Sequence, residues 1–437
     1  MNSVIIGIIT IFLLLLFIGI GVSVGLALIL ISIIGSILIV DFKSTISLLG
    51  DSLFYSLTSP SFSCLPLFIL MGAFAARAGF AKRAFDTVYK WFSNIPGSLA
   101  IATSYGCALF GAVSASSLAT AAVFGKIALP EMERYKYDKS FALGTIASSG
   151  TFACMIPPGS LFIVYAVFTD VSIGKLFLAG IFPGLITATV YALMIIYRVK
   201  KNPQLAPSIS SEKFTLREKI SSIKQIFPIA LLAFIILGGI YSGILTPTEA
   251  GAAGALGSLL LGLYYGKLNN FTQFYESLRE AANTTSMIFI IMIGALYASR
   301  YLSLTRIPTI FSDYITTLDI HRVFIITAIF IMWFFLGMII NPTGIFALTL
   351  PIVFPLIVKM GYDPVWFGVM AIKFSEIAAV TPPVGINVYT LKGVAGKDTS
   401  VEDIFRGIYP YVLCDIIVVI LLMLFPKIAT FLPSMVK

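Results

Sequence analysis

The fold is decided by the stretch GAVSASSLATAAVFGKIALPEMERYKYDKSFALGTIASSGTFACMIPP, residues 111–158, because its pattern occurs twice in the chain. The second copy opens with GMIINPTG at Gly337 and closes with AAVTPPVGIN at Asn387. Five pairs of identical residues lie 225 positions apart without a gap: Pro130 and Pro355, Tyr137 and Tyr362, Asp138 and Asp363, Pro157 and Pro382, and Pro158 and Pro383. A repeat of this length predicts an architecture of two related halves.

The composition predicts a membrane protein. Hydrophobic residues make up 58% of the 437 residues and charged residues 11%. Apolar runs of about 18 or more residues recur along the chain, as bilayer-spanning helices require. The longest polar stretch, 198–226, is too short for a soluble domain. The net charge of +9 does not indicate nucleic-acid binding, because excess Lys and Arg in membrane proteins mostly mark cytoplasmic loops. We therefore predict an all-α polytopic protein embedded in a lipid bilayer.

Each copy of the repeat contains a segment that is awkward as a single membrane crossing. Residues 97–129 carry small and hydroxyl side chains at their centre, Ser114–Ala119, and polar non-helical backbone at that depth must line a cavity or be buried in protein. We predict a re-entrant hairpin there, and a matching one at about 322–358 with its tip at Asn341–Gly344. The apolar run after each hairpin contains two prolines, which remove backbone donors and predict a broken transmembrane helix.

Basic residues set the predicted orientation of the two halves. The loop 198–226 holds seven Lys and Arg residues, Lys213 among them, and is placed in the cytoplasm. Threading the chain from this loop leaves more than twice as many Lys and Arg residues inside as outside, and the hairpins then enter from opposite sides. The repeats are therefore predicted to be inverted. The apolar stretch Ser3–Val40 is either two spans broken near Gly19–Gly25 or one strongly tilted helix.

The opposed hairpins and broken helices are predicted to converge near the bilayer midplane. Half-helix N-termini present N–H groups to an anion, and unwound carbonyls with hydroxyls are oxygen ligands for a small cation. We predict two symmetry-related Na+ sites, one for each hairpin and broken helix, with an anionic substrate between the tips. In the first half, the residues expected to face one another are Ser114, Ser116, Ser117, Ser148, Ser149, Gly150 and Pro157; in the second, Asn341, Thr343, Thr381, Pro382, Pro383 and Asn387. The substrate is assigned to Ser116, Ser117, Asn341, Thr343 and Asn387.

Close helix packing is an alternative interpretation of these small and hydroxyl side chains, which are also common where membrane helices simply touch. The charges predicted within the spans are Glu249, at the start of one, and Lys373 with Glu376. The last two lie three residues apart, so we expect them to pair on one helix face, or to act near the substrate. Because the tips carry no acid, Na+ coupling is favoured over H+ coupling.

Five motifs occur along the chain: GAVSASS (111–117), ASSG…IPPG (147–159), LFLAGIFPG (176–184), TPTEA (246–250) and TPPVGIN (381–387). Together they resemble the large membrane subunit of tripartite ATP-independent periplasmic (TRAP) transporters, over essentially the whole chain. Two departures are small. Ala115 stands where that family commonly has Gly, and Gly159 where it commonly has Ser.

The resemblance implies the fold of the ion-transporter superfamily, with scaffold and transport domains that move as an elevator. It implies Na+-driven uptake of a carboxylate such as a C4-dicarboxylate or a sialic acid across the bacterial inner membrane. A periplasmic substrate-binding protein would deliver the solute, and a small four-helix membrane subunit, here a separate polypeptide, would complete the permease. It also assigns sodium binding to Ser114, Ser116, Ser148, Gly150, Pro157, Asn341, Gly344, Thr381, Pro382 and Gly385.

The chain is divided accordingly into scaffold, arm and transport segments. The predicted segments are N-terminal scaffold helices 1–76, an interfacial arm 77–96, the first hairpin and broken helix 97–169, scaffold helices 170–300, a second arm 301–320, the second hairpin and broken helix 321–393, and a C-terminal span 394–437. The alternative function is a stand-alone Na+/carboxylate symporter of the same superfamily. An enzyme is not favoured, because the sequence offers no nucleophile, acid pair or metal cluster within the membrane, and a channel is disfavoured because the tips carry no ring of charge.

Overall fold

The computed structural model describes residues 3–207, 214–318, 320–396 and 399–435, with the backbone alone at 55 and 56. Every regular element in these ranges is helical, which confirms the predicted all-α class. Within them, six helices are long and apolar enough to cross a membrane, and a bent pair raises the number to seven. Lys213, in the loop predicted to be cytoplasmic, lies outside the described residues.

The described helices up to residue 201 include both parts of the first repeat. They are α1 (Ser3–Gly19), α2 (Val24–Ile39), α3 (Phe42–Thr58), α4 (Pro60–Arg77), α5 (Phe80–Phe92), α6 (Ser98–Ser114), α7 (Ser117–Arg134), α8 (Lys139–Gly150), α9 (Phe152–Met155), α10 (Ser160–Thr169) and α11 (Ile173–Lys201). The apolar N-terminal stretch is therefore two helices, α1 and α2, joined by a turn in which Gly21 has a φ of +95°.

The polar stretch 41–51 is largely helical. The Asp41 carboxylate accepts hydrogen bonds from the backbone N–H and the hydroxyl of Ser44, at 2.8 and 2.7 Å. Because this carboxylate satisfies a donor that would otherwise be free in the first turn, helix α3 begins directly after it.

The remaining described helices contain the second repeat. They are α12 (Leu216–Ala233), α13 (Gly239–Tyr241), α14 (Pro247–Tyr264), α15 (Phe271–Thr305), α16 (Ile307–Thr317), α17 (Arg322–Gly337), α18 (Pro342–Lys359), α19 (Pro364–Val380), α20 (Ile386–Ala395), α21 (Val401–Leu424) and α22 (Lys427–Ser434). A π-helical turn, Phe234–Gly238, joins α12 to α13.

Both predicted hairpins are pairs of helices joined by a short tip. The first is α6 and α7, joined by residues 115–116, and the second is α17 and α18, joined by residues 338–341. A helix interrupted at the double proline follows each hairpin: α8–α9 bends by 44° into α10, and α19 stops before α20. The Pro157–Pro158 and Pro382–Pro383 peptide bonds are both cis. The inverted orientation of the two halves stays a prediction.

Helices of each half pack against helices of the other half. Helix α7 of the first hairpin packs against α20, and a Cβ added at Gly125 would lie 2.8 Å from the Leu391 side chain and 3.2 Å from that of Val394. Helix α18 of the second hairpin packs against α10, where the Tyr165 and Phe346 rings meet edge to face with centroids 6.2 Å apart. Each hairpin is therefore fixed to the broken helix of the other half.

Helices α8 and α21 cross at very close range. A Cβ added at Gly407 would lie 2.8 Å from the carbonyl carbon of Ser140 and 2.9 Å from the Cα of Gly144. These neighbours are backbone atoms, which cannot move aside as a flexible side chain does. The crossing therefore requires glycine, as small residues commonly allow where membrane helices approach closely.

Each predicted arm contains a helix that buries one side against the protein, although α15 continues to Thr305 and so overlaps the start of the second predicted arm, 301–320. Helix α5 packs on α6 and α12 with Phe80, Phe85 and Val88 buried, while its Arg83 guanidinium lies over the Tyr265 ring at 3.7 Å. Helix α16 packs on α18. These contacts attach the arms to the helices of the hairpins.

Candidate functional site

The first tip is closed by its own hydroxyl groups. Ala115 has a φ of +54°, and this left-handed residue ends α6. Ser116 then caps α7 by accepting a hydrogen bond from the Ala119 N–H at 3.3 Å. The Ser114 hydroxyl accepts from the Thr120 hydroxyl at 2.9 Å and donates to the Ser116 carbonyl at 3.3 Å. Two of the predicted ligands, Ser114 and Ser116, therefore have protein partners within the tip itself.

The first tip lies directly against the first break. The Ser160 N–H, just beyond the double proline, donates to the Ala115 carbonyl at 3.4 Å. At the end of α8, a Cβ added at Gly150 would lie 2.8 Å from the Ala121 Cβ of α7, so the absence of a side chain allows the two helices to touch. The first tip therefore lies beside Gly150 and beside the break that contains the buried Pro157.

Ser148 and Ser149 are the unpaired groups of the first half-site. Both residues are fully buried at the end of α8. Neither side-chain oxygen has a hydrogen-bond partner among the described residues. A buried hydroxyl without a partner is costly, so these two oxygens are suited to a ligand that supplies the missing interaction. Ser114 does not meet them by hydrogen bonding, since its own bonds stay within the tip.

The second tip repeats this arrangement with different residues. Asn341 caps α18, because its side-chain oxygen accepts from the Gly344 N–H at 2.7 Å. The Val384 N–H, beyond the second double proline, donates to the Met338 carbonyl at 3.3 Å. Gly385 has a φ of +55° where α20 begins, a conformation that favours glycine. The second tip therefore contacts the second break, just as the first tip contacts the first.

The predicted side chains of the second half-site differ in how they are satisfied. The Thr381 hydroxyl donates to the Ile377 carbonyl of its own helix at 2.5 Å. Thr343 is buried, Pro382 is half-buried, and Pro383 is exposed. Asn387 is fully buried, and neither polar atom of its side chain has a hydrogen-bond partner among the described residues. Asn387 is therefore the counterpart of Ser148 and Ser149 as a polar group without a partner.

A cavity of about 600 Å³ opens beside the second tip. The turn between α1 and α2, the middle of α15, the tip and the start of α20 line this cavity. Its polar side chains are Ser23 and Asn341, and the rest of its lining is mostly apolar. Of the residues assigned to substrate, Asn341 lines this cavity, whereas Asn387 is fully buried and does not line it. Ser116 and Ser117 lie at the first tip and do not line this cavity.

The predicted pair between Lys373 and Glu376 is wrong. The Lys373 ammonium instead lies 2.7 Å from a carboxylate oxygen of Asp415 on α21, and both side chains are almost fully buried. The Tyr191 hydroxyl donates to the other oxygen of Asp415 at 2.8 Å. A spacing of three residues permits a pair on one helix but does not exclude a better placed acid on a neighbouring helix. The missed signal was Asp415 itself, a single acid within the apolar run 408–425.

The overall fold, in which two tips lie against two broken helices, is similar to that of two solved transporter structures. The Alcanivorax borkumensis YdaH transporter superposes with a TM-score of 0.54 at 14% identity, covering 86% of this chain and 89% of that one. Neisseria gonorrhoeae MtrF superposes with a TM-score of 0.56 at 15% identity, covering 88% and 85%. At these identities the similarity shows the fold alone.

The chain belongs to the family of the DctM component of tripartite ATP-independent periplasmic transporters, whose model matches residues 9–428. It is 33% identical to the C4-dicarboxylate TRAP transporter large permease protein DctM of Pseudomonas aeruginosa over 372 residues, 85% of each chain. It is 32% identical to the sialic acid TRAP transporter large permease protein SiaM of Vibrio cholerae, covering 85% of this chain and 86% of that one. This protein is therefore a DctM-like large subunit of a TRAP transporter and a multi-pass protein of the inner membrane.

Proposed function

We propose that this chain carries a carboxylate-containing solute into the cell, driven by Na+ bound at the two half-sites. The observation that carries the proposal is the position of the unpartnered polar groups. Ser148, Ser149 and Asn387 are fully buried at the two breaks, each beside a hairpin tip. Hydroxyl and amide oxygens together with the carbonyls freed at a break are the ligands that Na+ takes in transporters.

The solute and the partners are proposed from the family. Relatives named for C4-dicarboxylate and sialic acid transport support a carboxylate, and an isethionate permease of Oleidesulfovibrio alaskensis, DctMQ, 30% identical, broadens the class to related organic acids. The chain covers 59% of that relative's length. A small membrane subunit and a periplasmic substrate-binding protein complete the proposed transporter. The half-helix N-termini of α7 and α18 at the tips suit the anionic group of the solute.

Coupling is proposed to work through the order of binding. Na+ at a break would fix the carbonyls and hydroxyls there, and the tip beside it would then present its N–H groups to the anion. The anion binds well only in the arrangement that the cation stabilises, so each ligand raises the affinity of the other by the same factor. This reciprocity makes uptake of the solute depend on the Na+ gradient.

Replacing Ser148 with alanine is expected to raise the Na+ concentration for half-maximal uptake about tenfold, equivalent to about 1.4 kcal/mol of binding free energy. The reason is the loss of a buried oxygen that has no other partner in the described structure. The measurement is uptake of labelled C4-dicarboxylate or sialic acid by proteoliposomes holding the large subunit, the small subunit and the binding protein. Ser258→Ala is the control, because Ser258 is an equally buried, unpartnered serine on α14, away from both breaks. Equal Na+ curves for Ser148→Ala and the control would exclude Ser148 as a ligand.

The same vesicles test the alternative function. Na+-driven uptake by the large subunit alone would show a stand-alone symporter and would contradict the requirement for partners. Uptake that appears only when both partners are added, and that stops when Na+ is replaced by K+, is the result expected from the proposal. Uptake with partners but without any cation dependence would retain the permease and reject sodium coupling.

Movement of the hairpins against α4 is the proposed elevator step. Gly72 of α4 touches the first tip closely, since a Cβ added there would lie 2.9 Å from the carbonyl carbon of Ser114. A disulfide between cysteines placed at positions 72 and 115 is expected to stop uptake, and reduction to restore it, because the tip must leave α4 in each cycle. A cross-linked protein that transports at the normal rate would contradict the movement. The measurement is initial uptake rate before and after reduction, with each single-cysteine variant as the control.

A further inference from the structure

Glu376 is a buried acid that the proposed sodium sites do not use. It lies on α19, and 3% of its surface is exposed. Neither carboxylate oxygen has a hydrogen-bond partner among the described residues. The backbone amide of Met155, on α9, faces the carboxyl and is a donor near it. Apart from this amide, the described residues give the carboxyl no hydrogen-bond donor that would stabilise a negative charge.

The charged and titratable groups that face Glu376 leave its charge uncompensated. They are Lys373 on its own helix, Asp415 on α21, Tyr191 on α11 and Cys154 on α9. Lys373 is already bound to one oxygen of Asp415, and the Tyr191 hydroxyl to the other. The cation and the acid of that ion pair neutralise each other, so a second negative charge at Glu376 would be left in excess. Burying such a charge is far more costly than burying a neutral acid.

We propose that the Glu376 carboxyl is a proton-binding site, which holds a proton in this conformation and exchanges it with water in another. The neutral carboxyl avoids the buried excess charge. On opening, its O–H bond breaks and the proton passes to an entering water molecule, leaving a carboxylate and a hydronium ion. The reverse transfer restores the neutral acid when the site closes.

The location of Glu376 connects this proton to the transport machinery. Helix α9 belongs to the first broken helix and ends at Met155, two residues before Pro157, and Glu376 lies five residues before Thr381 at the second break. The carboxyl thus lies where α9 and α19 pack together, between the two breaks. Any rearrangement that separates α9 from α19 admits water to this carboxyl. Proton release then accompanies that rearrangement, in addition to any Na+ bound at the breaks.

The test is infrared difference spectroscopy of the full chain in lipid, which detects the C=O band of a protonated carboxyl directly. At neutral pH the wild type is expected to show this band, and Glu376→Gln to lose it. Glu376→Asp is expected to move the band rather than abolish it, which keeps the assignment testable where the glutamine variant folds poorly. Glu249→Gln is the matched control, since Glu249 is an exposed acid that caps α14 and is expected to leave the band unchanged.

Three outcomes overturn the proposal. The first is a wild-type protein without the band, and the second is a band that persists unchanged in Glu376→Gln. The third is a band that NaCl abolishes at constant pH while choline chloride does not, which assigns the carboxyl to the metal ion instead. Because the spectra need neither solute nor partners, they can fail independently of the proposed uptake function. In uptake assays at a fixed Na+ gradient, Glu376→Gln is further expected to lose the pH dependence of the wild type.

Discussion

Replacing Lys373 with methionine is expected to lower the free energy of unfolding by about 3–5 kcal/mol. The substitution removes the cation from a pair whose side chains are 1% and 3% exposed, and it leaves the Asp415 carboxylate buried without its partner. Asp415→Leu is expected to cost a similar amount, because it leaves the ammonium of Lys373 uncompensated. Equilibrium unfolding of the purified chain in mixed micelles measures both values.

The double variant distinguishes the net contribution of the ion pair to the free energy of unfolding from the cost of removing only one partner. Lys373→Met combined with Asp415→Leu is expected to recover most of the lost stability, since no buried charge of the pair remains. The Tyr191 hydroxyl loses its acceptor, so about 1 kcal/mol stays lost. Asp313→Asn is the control, because its pair with Lys359 is 45–61% exposed and is expected to contribute less than about 1 kcal/mol. Single variants that cost no more than this control would contradict a structural role for the buried pair.

Replacing Gly407 with alanine is the second change with a large expected effect. The added methyl group would overlap backbone atoms of Ser140 and Gly144, so α21 must move away from α8. We expect a loss of about 3 kcal/mol or more, at the upper end of what overpacking costs, because the neighbours are main chain rather than side chain. The readout is the thermal midpoint of unfolding, together with the fraction of monodisperse protein after size-exclusion chromatography.

Gly393→Ala is the matched control for this substitution. Gly393 lies in α20, is exposed, and has no heavy atom within 4 Å of an added Cβ. Alanine there is expected to raise stability by about 0.5–1 kcal/mol, since glycine is a weak helix former. The two substitutions are chemically identical. A loss of stability for Gly407→Ala and a gain for Gly393→Ala would therefore assign the loss to the crossing of α8 and α21. A Gly407→Ala protein as stable as the wild type would show that this crossing is looser than the structure describes.

The sequence predicted the hairpins and breaks well because their signals are local. Prolines that remove donors, a cluster of hydroxyls within an apolar run, and glycines near a tip all act within a few residues of their own position. The first tip falls at 115–116, within the predicted Ser114–Ala119, and the breaks follow Met155 and Val380, at the double prolines. The second tip is 338–341 and not the predicted Asn341–Gly344, because Asn341 caps α18 and Pro342–Gly344 already form its first turn.

Partners across helices could not be predicted by the same rules. The position of Asp415 beside Lys373 depends on how α21 packs on α19, which no local spacing encodes. Whether a hydroxyl at the site has a hydrogen-bond partner also depends on tertiary packing. Ser114 and Thr381 are satisfied by neighbours in the tip or the helix, while Ser148 and Asn387 are not. Residues of one chemical type therefore divide into satisfied and unsatisfied groups that only the packed structure distinguishes.

The packing of α7, from the first half, on α20, from the second half, affects how the chain assembles during its synthesis. The face of α7 that packs on Leu391 and Val394 is synthesised about 250 residues before α20 exists. At bacterial synthesis rates of about 5–20 residues per second, that interval is roughly 12–50 s. The first hairpin therefore leaves the ribosome before its neighbour α20 has been made. Its packing is completed only after α20 has been synthesised. During membrane insertion of this permease, the face of α7 that packs on α20 must therefore stay available until α20 has been inserted.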